Sequence, residues 1–178
     1  MKIYIISDTH WNHCGIVEGG HRPAEHGEQT VKALAERLKP DDTLIHLGDV
    51  IFAQSCELQV ILAQFAGTKI LVRGNHDKQS IGWYQRAGFS MVVDSMSLKY
   101  GGEDILFTHI PVPVAELGSH TVNVHGHLHT NTHRVTDVED RPACWDNGGK
   151  HRLFTLENLY QPVELGKFLR TTKLNPES

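Results

Sequence analysis

The sequence predicts an α/β fold with α+β character, and three observations carry that reading. Up to Ala87, short apolar runs alternate with stretches of helical periodicity; after Gly88, strand-like runs follow one another directly; and Gly101-Gly102 is a hairpin turn signal between two of them. The 178 residues correspond to about one domain, whose core buries roughly 70% of the unfolded surface.

Lys2 to Ser7 reads as a buried strand. Gly15, Gly19, Gly20 and Pro23 then make Asp8 to Glu25 a loop, longer than the roughly 12 to 15 residues of plain connections, so it needs a functional reason. Val31, Leu34, Ala35 and Leu38 recur at helical spacing between Glu28 and Lys39, and Pro40, Asp41 and Asp42 stop that helix. Thr43 to Leu47 is the second strand, Ser55 to Ala66 a helix capped by Ser55, and Thr68 to Val72 a third strand entered after Gly67. This βαβαβ order predicts a parallel sheet with right-handed crossovers, and Lys78 to Ala87 supplies the next helix.

Beyond Gly88, Phe89 to Val93, Met96 to Tyr100 and Asp104 to Thr108 are strands, and this half is expected to be antiparallel. Thr121 to Val124 and His151 to Leu156 add two more, separated by a polar stretch containing Asn147-Gly148-Gly149; a short helix follows Pro162 and runs to Leu169. A single domain over residues 1–170 is expected, with a polar, frayed tail at 171–178.

Composition narrows the function classes. With 39% hydrophobic and 21% charged residues, and no apolar run near the roughly 18 residues of a membrane span, disordered, fibrous and membrane-spanning classes are excluded. Ile3 to Ile6 is far shorter than a signal-peptide core of about 7 to 15 residues, which places the chain in the cytoplasm. Cys14, Cys56 and Cys144 are odd in number and scattered, and read as reduced thiols. A net charge of −4 with no Lys/Arg block argues against long nucleic acid as a partner. Nothing in the sequence fixes the oligomeric state.

The 13 histidines are the unusual feature, because many stand beside Asp, Asn or Gly just after an apolar run. The clusters are Asp8-Thr9-His10, Gly48-Asp49, Gly74-Asn75-His76-Asp77, His109, and Gly126-His127-Leu128-His129. Ligand sites of α/β proteins gather outside the carboxyl ends of strands, so clusters this far apart in sequence can share one rim. Carboxylate, imidazole and amide oxygen without thiolate suit borderline divalent ions. The donors outnumber the three or four that one catalytic ion takes; two ions sharing a bridging carboxylate is the economical arrangement, with Asp49 as the natural bridge.

Taken in order, these clusters resemble the signature of calcineurin-like metallophosphoesterases, in particular the small single-domain bacterial and phage phosphoesterases. The resemblance implies a two-sheet mixed β-sandwich flanked by helices. It implies one ion held by Asp8, His10, Asp49 and His129 and a second held by Asp49, Asn75, His109 and His127, with Mn²⁺ expected first and Fe²⁺, Zn²⁺ or Ni²⁺ as alternatives. It further implies hydrolysis of a small phosphodiester or phosphomonoester, the diester slightly favoured, by attack of a metal-bridging hydroxide on phosphorus with His76 as general acid to the leaving group.

Asn12, His13 and Arg22 lie in the long loop beside the first ligands and are candidates to bind substrate, the Arg22 guanidinium as a fork for phosphate oxygens; Lys78 is a further candidate contact. His125 reads as support for a ligand and His46 as a packed residue, while His133 and His151 read as solvated. One departure bears on substrate choice: the protein-phosphatase branch carries a second Asp where this chain has Phe52, so His76 lacks its carboxylate partner unless Asp77 substitutes.

Other functions fit less well. A nuclease or nucleotide pyrophosphatase is opposed by the acidic balance and the lack of basic-aromatic interleaving, and a non-catalytic interaction scaffold by the intact ligand positions. A metallo-β-lactamase pattern needs Asp where Thr130 stands, and a (β/α)₈ amidohydrolase needs about 250 residues.

Overall fold

The apolar runs without Gly or Pro become the strands. β1 (Ile3–Ile6), β2 (Thr43–His46), β3 (Thr68–Val72) and β4 (Met91–Val93) lie side by side and parallel, and a two-residue β9 (Val163–Glu164) adds antiparallel to β1. The computed structural model describes residues 1–52, 55–129 and 150–171. A second sheet holds β5 (Met96–Tyr100), β6 (Glu103–Phe107), β7 (Thr121–His125) and β8 (His151–Leu153), in that spatial order.

The expected antiparallel second half is corrected here. Within the second sheet, among the described residues, only the β5–β6 hairpin, closed by Gly101-Gly102, is antiparallel; β6–β7 and β7–β8 are parallel, and the run near Phe89 joins the first sheet beside β3. Antiparallel neighbours can be joined by a tight turn, whereas parallel ones need a crossover of a dozen or more residues. Residues 108–120, with their 3₁₀ turn at Val114–Glu116, are such a crossover. Strand β9 was hidden in the segment read as a helix after Pro162, and α5 (Leu165–Thr171) follows it.

Helices cover the sheets. The long first loop contains α1 (Cys14–Glu18), whose first turn is capped by His13 Nδ1 accepting from Ile16 N at 3.2 Å. α2 (His26–Arg37) buries His26, Thr30 and Leu34, one stripe at four-residue spacing. α3 (Ser55–Leu62) is shorter than expected, and α4 (Ile81–Ala87) starts where Ser80 Oγ accepts from Trp83 N. The Ser55 side chain, Cys144, His133, the Asn147-Gly148-Gly149 turn and the tail beyond Thr171 lie outside the described residues. Among the described residues no helix is long and apolar enough to cross a membrane.

One core joins both sheets: Ile5, Ile45 and Leu71 from the first pack with Ile105, Phe107 and Val124 from the second, closed by Phe154 and Phe168. Each such side chain contributes about 1.5–3 kcal/mol on burial. Fully buried His46 accepts at Nδ1 from Gly48 N (3.1 Å), which places its proton on Nε2, facing Thr9 Oγ1 at 2.9 Å; that hydroxyl in turn donates to Val50 O. His46 is thus packed, as expected. His151, read as solvated, instead sets its ring edge-on against His125.

Burial lowers both His46 and His125 to about 3. The native state therefore holds them neutral, while the unfolded chain takes up their protons below about pH 6.5. Stability of the metal-free protein is expected to fall as pH drops from 6.5 toward 3, by up to ~1.4 kcal/mol per pH unit for each imidazole. Urea midpoints at pH 7, 6 and 5 measure this, and His46→Gln should flatten the slope.

Candidate metal centre

The strand tips are zipped together past the ends of the strands. Asp8 N donates to Gly48 O (2.9 Å), His10 N to Asp49 O (3.0 Å), Trp11 N to Val50 O, and Phe52 N back to Trp11 O. The second sheet closes its own tips through Gly126 N to His109 O (3.1 Å). Two bonds tie the sheets to each other: His127 N donates to Asp8 Oδ2 (3.0 Å), and His109 Nδ1 pairs with Leu47 O (2.7 Å). This stitching turns the chain sharply at each tip, and Asp8, His10, Asp49, His127 and His129 all take positive φ, between 44° and 71°. Non-glycine residues rarely occupy this left-handed region.

Two sets of donors converge there. Asp8, His10 and His129 form one group and Asp49, His109 and His127 the other, each set of ligand atoms lying within 4.8 Å of one another. Asn75 Oδ1 lies 3.0 Å from His109 Nε2, inside the second group. Asp49 Oδ2 stands between them, 3.8 Å from His10 Nε2 and 3.3 Å from His109 Nε2. All seven residues read as ligands from the sequence are therefore gathered at one place.

The chemistry of these contacts fits cations. His109 Nδ1 donates to the Leu47 carbonyl, so in the neutral ring Nε2 carries a lone pair. That lone pair faces Asn75 Oδ1, Asp49 Oδ2 and, at 3.2 Å, His127 Nδ1. In the first group His129 Nδ1 lies 2.6 Å from Glu157 Oε1 and holds the proton there, turning the Nε2 lone pair toward Asp8 Oδ1 at 3.5 Å. Asp8 Oδ1 itself is buried without a hydrogen-bond partner. Lone pairs packed this closely repel one another unless a positive charge lies among them.

The titration of these groups points the same way. Burial raises the Asp8 carboxyl against the pull of His109 and His129. Burial would also raise Asp49, but the hydrogen bond and charge of His109 bring it down to about 2. Burial would lower His109, yet the Asp49 contact and the charges of Asp8 and Asp49 raise it, a proton serving where a cation would. His10, held by burial at about 3, is a neutral imidazole throughout the physiological range.

Other residues build the site, and of these Asn123 and Glu157 were not singled out by sequence. Asp77 is buried, its Oδ2 accepting from Gly74 N (2.7 Å) and Asp49 N (2.8 Å) and its Oδ1 from Val50 N (3.1 Å), so it clamps the β2 and β3 tips. It is thereby committed to backbone amides rather than to orienting His76. Asn123, a polar residue inside an apolar strand, accepts from Val112 N and donates to Leu106 O and Thr108 Oγ1, fixing the segment that carries His109. Glu157 had no local signal at all. His125, expected to support a ligand, is buried with Nδ1 toward Gly126 O.

Arg22 is placed differently from its expected role as a phosphate fork. Its side chain is buried, with Nε and Nη2 on Glu157 Oε1 (3.0 and 2.5 Å) and Nη1 on Asp8 O (2.6 Å) and Thr9 O. It therefore braces the turn of Asp8 and the carboxylate behind His129. Glu157, which burial alone would raise, is brought to about 2 by His129 and Arg22.

At the rim, exposed Phe52 packs between His13 (centroids 4.1 Å), His76 (5.1 Å) and His10 (5.5 Å). His76 is exposed, its ring 5.8 Å from that of His10 and its backbone N–H on Asp49 Oδ1 at 2.9 Å. Asn12 is exposed with φ 61°, and Lys78 is exposed. Cys14 and Cys56 are free thiols, as expected.

Comparison with known proteins places this geometry. The calcineurin-like phosphoesterase superfamily domain matches residues 1–146. MJ1445, an uncharacterized protein of Methanocaldococcus jannaschii, is 30% identical over 136 residues, 73% of this chain and 70% of that one. The crystal structure of AQ665 from Aquifex aeolicus, a protein of unknown function, is similar with a TM-score of 0.72 and 26% identity, covering 96% of this chain and 98% of that chain. A novel archaeal phosphodiesterase is similar with a TM-score of 0.45 and 21% identity, over 71% of this chain and 73% of that one.

A carboxylate behind a ligand imidazole fixes its tautomer and raises its basicity. Glu157→Gln is therefore expected to weaken Mn²⁺ binding by about 10- to 100-fold, measured by isothermal titration on metal-free protein. Since a proton on His109 competes with the ion, affinity should also fall as pH drops below neutral, with proton release on binding.

Proposed function

Because the chain belongs to the calcineurin-like phosphoesterase superfamily, we propose that it hydrolyses a small phosphate ester, a diester in preference to a monoester, with two divalent ions of which Mn²⁺ is the first choice. The observation that supports this most is the pair of converging lone-pair groups with Asp49 Oδ2 within 3.8 Å of a nitrogen in each. When bound, such ions supply a hydroxide from water near neutral pH and a clamp on the phosphoryl oxygens.

The residues of this chain divide the remaining work. Asp8, His10, Asp49 and His129 would hold one ion, and Asp49, Asn75, His109 and His127 the other. His76 stands exposed beside His10, on the rim where a leaving group departs, and donates its proton to the departing alkoxide as charge builds on that oxygen. Such a donation is typically worth about 10² to 10⁴-fold. With Asp77 engaged by three backbone amides and Phe52 against its ring, His76 is oriented by aromatic contact instead of a carboxylate.

His76→Ala is expected to lower turnover of alkyl phosphodiesters by about 10² to 10⁴-fold with metal content unchanged by elemental analysis, and to affect nitrophenyl esters less, because nitrophenolate leaves without a proton. Asp49→Asn should lose metal and activity together. Nitrophenyl mono- and diesters assayed with Mn²⁺, Ni²⁺, Zn²⁺ and Mg²⁺ give the substrate preference. His76→Ala protein that loses metal yet turns over nitrophenyl esters normally would overturn the assigned role.

A further inference from the structure

Beside the metal rim, α1, α2 and α3 border an open pocket of about 690 Å³ lined in part by Trp11, Val17, Val31, Ala35 and Ile61. Its size lies within the range of about 300 to 1,000 Å³ typical of small-molecule sites. The cavity and the metal centre share a wall: Asn12 and His13 line the cavity, and the His13 ring lies 5.8 Å from that of the ligand His10 and 4.1 Å from Phe52. A phosphate ester with its phosphorus at the metal centre thus has room for an organic group around His13. Resting on the phosphoesterase reading above, we propose that this pocket binds the retained organic group of the substrate, and that this group is an uncharged, flat aromatic ring such as a nucleoside carries.

Three observations select that occupant. The lining presents more apolar than polar surface, against which a flat ring gains by leaving water. The charged side chains around the cavity are Glu18, Glu28 and Lys32, a net negative set. That balance disfavours a second phosphate, and with it a polyphosphate chain or a nucleic-acid backbone. Phe52, 39% exposed between His13 and His76, extends the aromatic surface from the cavity to the rim. The side chain at the position where a related branch carries a carboxylate here serves substrate selection.

The experiment compares two diesters with the same leaving group, thymidine 5′-(p-nitrophenyl) phosphate and methyl p-nitrophenyl phosphate, on Mn²⁺-loaded protein. The wild type should favour the thymidine ester by about tenfold or more in kcat/KM, chiefly through KM. Ala35→Phe and Gln64→Trp, both at exposed positions lining the cavity, should bring that ratio to about two or less. Each variant is read as a ratio of two esters, so a general loss of activity cancels. A wild-type ratio near one, or a ratio that neither variant moves, overturns the proposal. If neither ester is hydrolysed, the phosphoesterase reading fails, and titration of thymidine alone by calorimetry decides the cavity separately: binding weakened by Ala35→Phe upholds it, and no binding overturns it.

Discussion

The backbone at the strand tips approaches more closely than a side chain would allow. A methyl group on Gly74 would lie 2.1 Å from Asp49 Oδ1, and one on Gly126 would lie 1.9 Å from Ser7 Oγ and 2.4 Å from Asp8 Oδ2. Real Cβ atoms do not come so near. Because these positions are bare, the β2 and β3 tips can touch, and the β7 tip can reach β1 across the two sheets. The ligand residues follow directly from that contact. Forced to turn where neighbouring tips meet, Asp8, His10, Asp49, His127 and His129 adopt left-handed backbone, at a cost of about 1 to 3 kcal/mol each.

That strain is held in place by polar groups whose partners are mostly backbone. Asp77 takes three amides, Asn123 anchors the His109 segment, and Arg22 grips the Asp8 and Thr9 carbonyls while pairing with Glu157. All lie in or against the core, where an unpaired polar group costs about 1 to 3 kcal/mol, so each is expensive to disturb. The same burial sets the electrostatics. It keeps His10 and His46 neutral and raises the Asp8 carboxyl against the pull of His109 and His129, while the hydrogen bond and charge of His109 hold Asp49 ionised.

Much of the fold was legible along the chain. The βαβ units up to β3 follow from period and punctuation: Val31 and Leu34 at helical spacing in α2, and Gly67 before β3. The direction of the later strands was not legible, since β6 and β7 look the same read singly whether they run parallel or antiparallel. A residue pattern of period two encodes which face is buried, not which way a neighbour runs. Strand β9 is too short to show any period at all.

The convergence of the candidate ligands was readable because these residues sit in short clusters at strand ends, where local order in sequence becomes local order in space. Glycine, carboxylate and imidazole in Gly48-Asp49 and Gly126-His127-Leu128-His129 carry their meaning in a few consecutive positions. What surrounds those ligands depended on the tertiary structure. Glu157 reaches His129 and Arg22 from a distant segment, Arg22 turns inward instead of toward substrate, and the cavity beside His13 arises where three helices fail to meet. These are contacts between residues far apart in the chain, set by how elements pack, and packing leaves no periodic trace in the sequence from which to read it.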